Sequence, residues 1–383
     1  MNALQTSLTP PHTQTQLAGA RALESEPQPL APPRWDWGKV RRVLVVRLRS
    51  IGDTVLSTPS LYALRRFLPD AQIDVLLEDW VAPLLDGNTD ASRVITLRRG
   101  SKLARLALVR ELRAARYDVA YNLHGGTTAA LLTRASGARR RVGYASYRFN
   151  QLQTDAAPPA SALWQQDKTH SVEQQLALLG WTGVPVTDRP ATRLFVTQEA
   201  SAKIETRLSA AGLGASSQRP FALFHPAAAF DSKRWDAHNF ARVADRLDAR
   251  GIGVVAVAAL DEREVVRAFS ESAKARVVAF NDLALPEVSA LAARARLFVG
   301  NDSGIAHIAA AVRTPSVVVF GSSNVAHWRP WATAPAEVVR EEMSCAPCAG
   351  YTCPEFGEAQ CIRRVTVERV NAAVERVLAQ VQD

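Results

Sequence analysis

Two junctions, one in each half of the chain, constrain the fold more than any other feature. The first runs Val45-Val46-Arg47-Leu48-Arg49-Ser50-Ile51-Gly52-Asp53-Thr54-Val55, and the second Phe298-Val299-Gly300-Asn301-Asp302-Ser303-Gly304-Ile305-Ala306-His307. Each is an apolar strand, then a tight polar turn holding glycine and a carboxylate, then the start of a helix. In open parallel α/β sheets, ligands bind outside the carboxyl ends of the strands. Two such turns therefore predict two facing nucleotide-fold domains with a cleft between them, one turn presenting a base and the other a phosphate or sugar site.

The rest of the pattern agrees. Short β-branched runs predict strands at 43–48, 73–77, 94–97, 119–123 and 142–144, separated by helical periodicity over 61–67, 103–115 and 128–136 and followed by a helix at 171–179. The second half repeats the plan, with strands at 221–224, 253–258, 277–280, 297–299 and 316–320 and helices near 237–250, 262–273, 285–295 and 305–312. Strands alternating with helices build a parallel sheet from βαβ units. The fold class is thus α/β, with two Rossmann-like parallel-sheet domains. The expected divisions are a disordered tail over 1–38, rich in Pro, Gln, Thr and Ala, a domain over 39–190, a second over 191–365, and a closing helix over 366–383.

At 47% hydrophobic and 22% charged residues, the 383-residue chain can bury a large core. It has no apolar run near the ~20 residues that span a bilayer. Its first residues lack the basic and apolar regions of a signal peptide, so a cytosolic location is expected. The net charge is +9, and part of the excess is local. Arg98, Arg99, Lys102, Arg105, Arg110, Arg113 and Arg116 occur with a single acid, Glu111, and Arg139-Arg140-Arg141 and Arg148 follow. This is either a solvated helix face or a surface for an anionic partner, namely a phosphorylated substrate or an acidic membrane. No nucleic-acid-binding signature accompanies it.

The motifs narrow the chemistry. Neither a G-x-G-x-x-G turn nor a P-loop occurs, which disfavours a dehydrogenase or a P-loop NTPase. Asp53 is placed to cap a helix N-terminus or to act as a general base at a cleft mouth. Lys233-Arg234, in the turn after a strand ending at His225-Pro226, can bind a diphosphate. Ser303-Gly304 can open a helix whose free N–H groups face an anion. With no D-x-D in the chain, metal-independent transfer is expected, since protein cations and N–H groups must neutralise a diphosphate. The cysteines form one segment, Cys345-x2-Cys348-x4-Cys353-x7-Cys361. It reads as a packed loop of free thiols, with a structural zinc as the alternative.

Taken together and in this order, these residues resemble glycosyltransferase family 9, the bacterial lipopolysaccharide heptosyltransferases. The resemblance runs from about Arg41 to Val370. It is carried by Arg47–Asp53, Asn122-Leu123-His124-Gly125-Gly126, His225-Pro226 with Ser232–Trp235, Gly300–Gly304 with His307, Phe320-Gly321-Ser322 and the cysteine segment. It implies a GT-B fold, an ADP-heptose donor, and inverting transfer to an inner-core sugar of lipid A–Kdo. By position, Asp53 resembles the catalytic base and Lys233 the donor-phosphate lysine. Asp302 matches the acid that holds the donor sugar, Ser303-Gly304 the pyrophosphate turn, and Glu262 the acid near the ribose, with His307 completing the donor side. Gly52, His124, Gly125, Gly126 and Arg148 fall on the acceptor side. Two departures stand out. Ala258-Ala259-Leu260 replaces the usual Gly-Gly-Pro before Glu262, and Gly321-Ser322-Ser323 replaces Gly-Pro-Thr.

The resemblance further implies an enzyme at the periphery of the inner face of the cytoplasmic membrane. The competing readings are a related transferase with another nucleotide sugar or a protein acceptor, and a non-catalytic nucleotide-sugar binding module.

Overall fold

A computed structural model describes residues 26–213, 219–348 and 352–381. The first half runs β1 (Arg42–Val46), α1 (Ile51–Val55), α2 (Thr58–Phe67), β2 (Gln72–Glu78), β3 (Arg93–Leu97), α3 (Lys102–Ala114), β4 (Val119–Asn122), α4 (Thr127–Ala135), β5 (Arg140–Tyr144), β6 (Asp155–Ala157), α5 (Ala160–Trp164) and α6 (Ser171–Trp181). The second half runs α7 (Gln198–Ala210), β7 (Phe221–His225), α8 (Ala237–Asp248), β8 (Gly253–Val257), α9 (Arg263–Ser272), β9 (Val277–Phe280), α10 (Leu285–Arg294), β10 (Leu297–Asn301), α11 (Gly304–Ala311), β11 (Ser316–Phe320), α12 (Val325–Trp328), β12 (Ala336–Arg340), α13 (Gln360–Arg363) and α14 (Val367–Gln380).

Every strand pair is parallel, in two sheets ordered β3-β2-β1-β4-β5-β6 and β12-β11-β10-β7-β8-β9. Both are the doubly wound order, whose strand sequence reverses at one point. In the first sheet the reversal lies between β1 and β4, and in the second between β7 and β10. The central strands are buried on both faces, which is why they read as continuous apolar runs rather than alternating ones.

Side chains that alternate along β1 enter different cores. Val43 and Val45 join a cluster that also holds Leu223, Val255 and Phe298 of the second sheet, so one core runs through both domains. Leu44 and Val46 instead pack with Leu108 and Leu112 of α3 and Leu132 of α4 on the other face. The second sheet has its own outer core, against which α14 packs through Val370, Val374 and Val377.

The expectation of a disordered segment over 1–38 does not hold for its described part. Residues 1–25 lie outside the described residues, but 26–38 pack on the body. The Leu30 and Ala31 N–H groups donate to the Gly180 carbonyl, and buried Trp37 donates its indole N–H to the Thr182 carbonyl at 2.9 Å. The two tryptophans Trp35 and Trp37, 5.1 Å apart, supply the apolar area that a polar composition hid.

Polar contacts tie the halves together. Arg193 of the linker makes a bidentate ion pair with buried Asp90 and lies over the Tyr62 ring at 3.8 Å. His170 accepts from Val172 N–H at Nδ1, capping α6, which puts its proton on Nε2 for donation to the Arg329 carbonyl at 2.8 Å. The same ring packs on Trp331 of the second domain at 4.6 Å.

Burial holds the His170 pKa down to about 3, against 6.5 in the unfolded chain. The unfolded chain therefore binds the proton first, and stability that is complete above pH 6.5 drains as pH falls toward 3, by about 1.4 kcal/mol per unit. Burial also lowers His124, His307 and His327, with the same sign. The urea midpoint should accordingly fall between pH 7.5 and pH 5. His170→Asn keeps a capping side chain, and should flatten that slope while lowering the midpoint at pH 7.5. An unchanged slope would show that His170 does not carry the acid sensitivity.

Candidate functional site

Four loops meet where the two sheets reverse. They follow β1, β4, β7 and β10, the four strands that flank the two reversal points. Between the domains the loops after β1, β7 and β10, together with the loop after β8, enclose most of a cleft of about 810 Å³, lined from the first domain by Ser50–Asp53 and from the second by His225, Lys233, Glu262 and Asp302–Gly304, among others.

The approach of the domains is set by two short helices, α1 and α11. A Cβ on Gly52 would lie 2.7 Å from Cδ2 of His307, and a Cβ on Gly304 would lie 2.6 Å from Cβ of Ile51. The glycines are thus required for contact, beyond any role in turning the chain. His307 is wedged between the domains. It is buried, held neutral by that burial, and its Nδ1 has no partner among the described residues.

On the first domain, Asp53 is both a cap and a cleft residue. Its Oδ2 accepts from the Ser50 N–H at 3.2 Å and the Ser50 hydroxyl at 3.4 Å, completing a capping box at the start of α1. Its Oδ1 pairs with Arg47, whose other Nη donates to the Leu123 carbonyl at 2.5 Å. Arg47 therefore fastens the loop after β1 to the strand end at β4.

Beside it, Asn122 Oδ1 accepts from the Gly125 N–H at 2.9 Å and turns the chain sharply. Gly125 has φ +77°, and a Cβ there would strike the Tyr147 ring at 2.7 Å. Half-buried Tyr147, its pKa pushed up to about 12 by desolvation, thus closes the loop after β4. Of the acceptor-side residues, Gly52 lines the cleft with Asp53. The His124-Gly125-Gly126 loop stands beside it, while Arg148 is exposed further out, with its guanidinium 5.2 Å from the Phe149 ring.

On the second domain, Asn301 is fully buried at the end of β10. Its amide donates to the Pro226 carbonyl at 2.8 Å, and its oxygen accepts from the Trp235 N–H at 3.0 Å. Both bonds fix the loop that carries Lys233. Lys233 Nζ lies 2.8 Å from Asp302 Oδ2, which also accepts from the Ser323 hydroxyl at 2.5 Å. Ser303 starts α11 without capping it. Its hydroxyl shares a hydrogen bond with His225 Nδ1 at 3.1 Å, leaving the first N–H groups of α11 without a side-chain cap. The far side of the His225 ring faces Glu262, 3.6 Å away, and holds that carboxyl below its usual range. All six expected donor-side residues line this one cleft.

Arg47, Tyr147, His225 and Ser323 were missed as site residues. Arg47 and His225 stood within quoted motifs, at strand ends, and that position was the available signal. Ser323 and Tyr147 act through partners distant in sequence and gave none. Ser322 shows what the departure from Gly-Pro-Thr does. Its N–H donates to the Ser232 carbonyl at 3.2 Å, a bond that proline cannot make.

The four cysteines carry free thiols and line one small cavity of about 60 Å³ behind Ser232 and Ser322. Burial, and then the other three sulfurs, push the Cys361 thiol up. Among the described residues no group of three or more His, Cys, Asp or Glu side chains is set to hold a metal.

Two facing doubly wound domains with a cleft at their paired reversal points define the GT-B class of glycosyltransferase architecture. The model of "Glycosyltransferase family 9 (heptosyltransferase)" matches residues 105–357, and the chain belongs to this family. It is similar to lipopolysaccharide heptosyltransferase 3 of Escherichia coli, 31% identical over 232 residues, or 57% of this chain and 64% of that protein. The match thus spans less than two thirds of that relative's length. Among solved structures, a family 9 glycosyltransferase from Veillonella parvula aligns with TM-score 0.79 at 22% identity, covering 89% of this chain and 98% of that one. The E. coli ADP-heptose lps heptosyltransferase II aligns with TM-score 0.73 at 24% identity, covering 88% and 99%.

The glycine contacts predict a coupling. Gly52→Ala should lower stability by about 1–3 kcal/mol through overpacking. In a Gly52→Ala/His307→Ala chain the two changes should be less than additive by at least ~0.5 kcal/mol. Denaturant unfolding of the four chains in the cycle measures this, and additive effects would show that the two residues do not meet.

Proposed function

We propose that this protein is an inverting heptosyltransferase, moving a heptose from ADP-heptose to the inner core of lipopolysaccharide, on a lipid A–Kdo or heptose acceptor. The observation that carries the reading is the facing of Asp53, from one domain, toward the Lys233–Asp302 pair and the start of α11, from the other, across one cleft. The names of the similar proteins point to the same donor and acceptor class.

The chemistry is one displacement. The acceptor hydroxyl oxygen attacks the anomeric carbon and its proton passes to Asp53. Oδ1 is tied to Arg47, so Oδ2, held only by longer bonds from Ser50, is the oxygen that receives it. The carbon–oxygen bond to phosphate breaks on the opposite face, and the electron pair leaves with the diphosphate. Lys233 and the uncapped N–H groups at Ser303-Gly304 neutralise that charge. Asp302 holds Lys233 in place and addresses the sugar, Glu262 stands at the ribose, and His307 forms the dry floor between domains. His124, Gly125, Gly126 and Arg148 guide the acceptor. On this reading residues 39–190 form the acceptor domain and 191–365 the donor domain, and the enzyme works at the inner face of the cytoplasmic membrane. No helix among the described residues is long and apolar enough to cross that membrane.

Asp53→Asn should keep the fold and the donor Kd while turnover falls by about 10²–10⁴-fold. Calorimetry with ADP-heptose and mass detection of product on purified inner-core acceptors read the two effects separately. Wild-type turnover in this variant would leave Asp53 as a helix cap only. Product from another nucleotide sugar alone, or ADP-sugar binding without turnover by the wild type, would replace the heptose reading.

Lys233→Ala should weaken ADP binding about tenfold or more, the worth of a charge-assisted hydrogen bond, with a smaller change in acceptor KM. An unchanged ADP Kd would remove Lys233 from the donor site.

A further inference from the structure

We infer that the cleft-side edge of the first sheet is a docking rim for an anionic lipid bilayer, with Trp80, Leu103 and Leu106 entering the interface and Arg98 and Arg105 holding the headgroups. This rests on the lipid-linked acceptor proposed above and names the surface that meets the bilayer around it.

The first observation is an inverted helix face. α3 buries Leu108 and Leu112 on the sheet, as an amphipathic helix should. Its outward stripe reads Leu103, Leu106, Arg110, Arg113 at intervals of three and four residues. On a solvated helix those positions are polar. Here Leu103 is 81% exposed and Leu106 50% exposed.

The second observation is position. α3 starts just after the carboxyl end of β3, on the sheet edge that carries Asp53. Trp80, 46% exposed, follows the carboxyl end of the neighbouring strand β2. The two connections are joined, since the Asp79 N–H donates to the Leu97 carbonyl and Arg99 pairs with Glu78 at 2.7 Å. Glu78 also accepts from the Trp80 indole at 2.9 Å. Three exposed large apolar side chains thus share one rim of the acceptor domain.

The third observation is charge. Glu111, the single acid between Arg98 and Arg116, is already paired with Arg93 at 2.9 Å. Apolar side chains within a collar of arginines match a surface with negative headgroups over an acyl interior. The same geometry limits which part of the basic stretch this rim includes. α3 is about 20 Å long at 1.5 Å per residue, and Arg113 and Arg116 sit at its far end, by the start of β4. The rim uses only the first part of the basic stretch.

Flotation of the full-length protein with vesicles tests the inference. The wild type should bind vesicles containing 30 mol% phosphatidylglycerol and not vesicles of phosphatidylcholine alone, and added salt should weaken the binding. Leu103→Ser/Leu106→Ser should reduce binding at least about tenfold, and Arg98→Gln/Arg105→Gln by about fivefold per arginine. Leu131→Ser, an exposed leucine on α4, should change nothing. Brominated lipid should quench a fluorescence component that Trp80→Phe removes, a readout independent of variant folding. The inference is overturned if the wild type ignores anionic vesicles, if the leucine variant binds as wild type, or if Trp80→Phe leaves the quenching intact. Turnover on a delipidated, soluble inner-core saccharide should be unaltered in the leucine variant. If the wild type has no such turnover, it is the transferase reading that fails, and the vesicle result stands separately.

Discussion

The close crossing of α1 and α11 is the contact on which the remainder of the site depends. Each helix begins immediately after a central strand, so each marks the reversal point of its sheet. Gly52 and Gly304 remove the two side chains that would hold these helices apart. The reversal points therefore face each other, and groups from loops after β1, β4, β7 and β10 line or border one volume. A single core continues behind the crossing through both domains, so the apposition is paid for by apolar burial rather than by polar contacts alone. His307, filling the space above Gly52, is a filler for the same junction.

Within the cleft three charged groups are positioned by partners before any ligand arrives. Arg47 orients Asp53, Asp302 orients Lys233, and His225 orients Glu262. Such pairing fixes rotamers of side chains that would otherwise lose entropy on binding. It also directs the free capacity of each group. Asp53 keeps one oxygen on weaker, longer bonds, and Lys233 keeps two ammonium hydrogens beyond the one given to Asp302. A site assembled in this way favours charge that develops across the cleft, since its dipoles need little reorganisation.

How much of this was legible follows from the range of each interaction. The ten strands read from the sequence are all present, because buried parallel strands are apolar without interruption. The two that were missed, β6 and β12, are the outer edges of their sheets, where one flank lacks a neighbour. α7 was missed because only Ala200, Ile204 and Leu208 of its thirteen residues are buried, too narrow a stripe among charges. The cleft residues could be read where a turn must use particular residue types, as at Gly52-Asp53 and Asp302-Ser303-Gly304. Tyr147 and Ser323 could not, because each acts through a partner far along the chain or on another loop. The exposed leucines of α3 were hidden by their own periodicity. Leu103 and Leu106 fit a helix as well as Leu108 and Leu112 do, and only the direction of the sheet separates the two pairs.

The loop after β11 carries the last link from sequence to site. Gly321 lies so close to the Ser232 carbonyl that a Cβ would come within 2.1 Å of it, so only glycine allows the two strand-end loops to touch. Once they touch, the Ser322 N–H and hydroxyl both bond to Ser232, the residue before Lys233. Ser323, the next residue, donates to Asp302, the partner of Lys233. From behind, the Cys348 N–H donates to the Ser322 carbonyl, so the cysteine loop buttresses the same turn. A replacement that looks like a lost motif in the sequence is thus a substitution of hydrogen bonds for ring rigidity. Proline would stiffen this turn through its own φ angle, whereas serine stiffens it by fastening it to the lysine loop. Position 322 is in this way coupled, through Ser232, to Lys233.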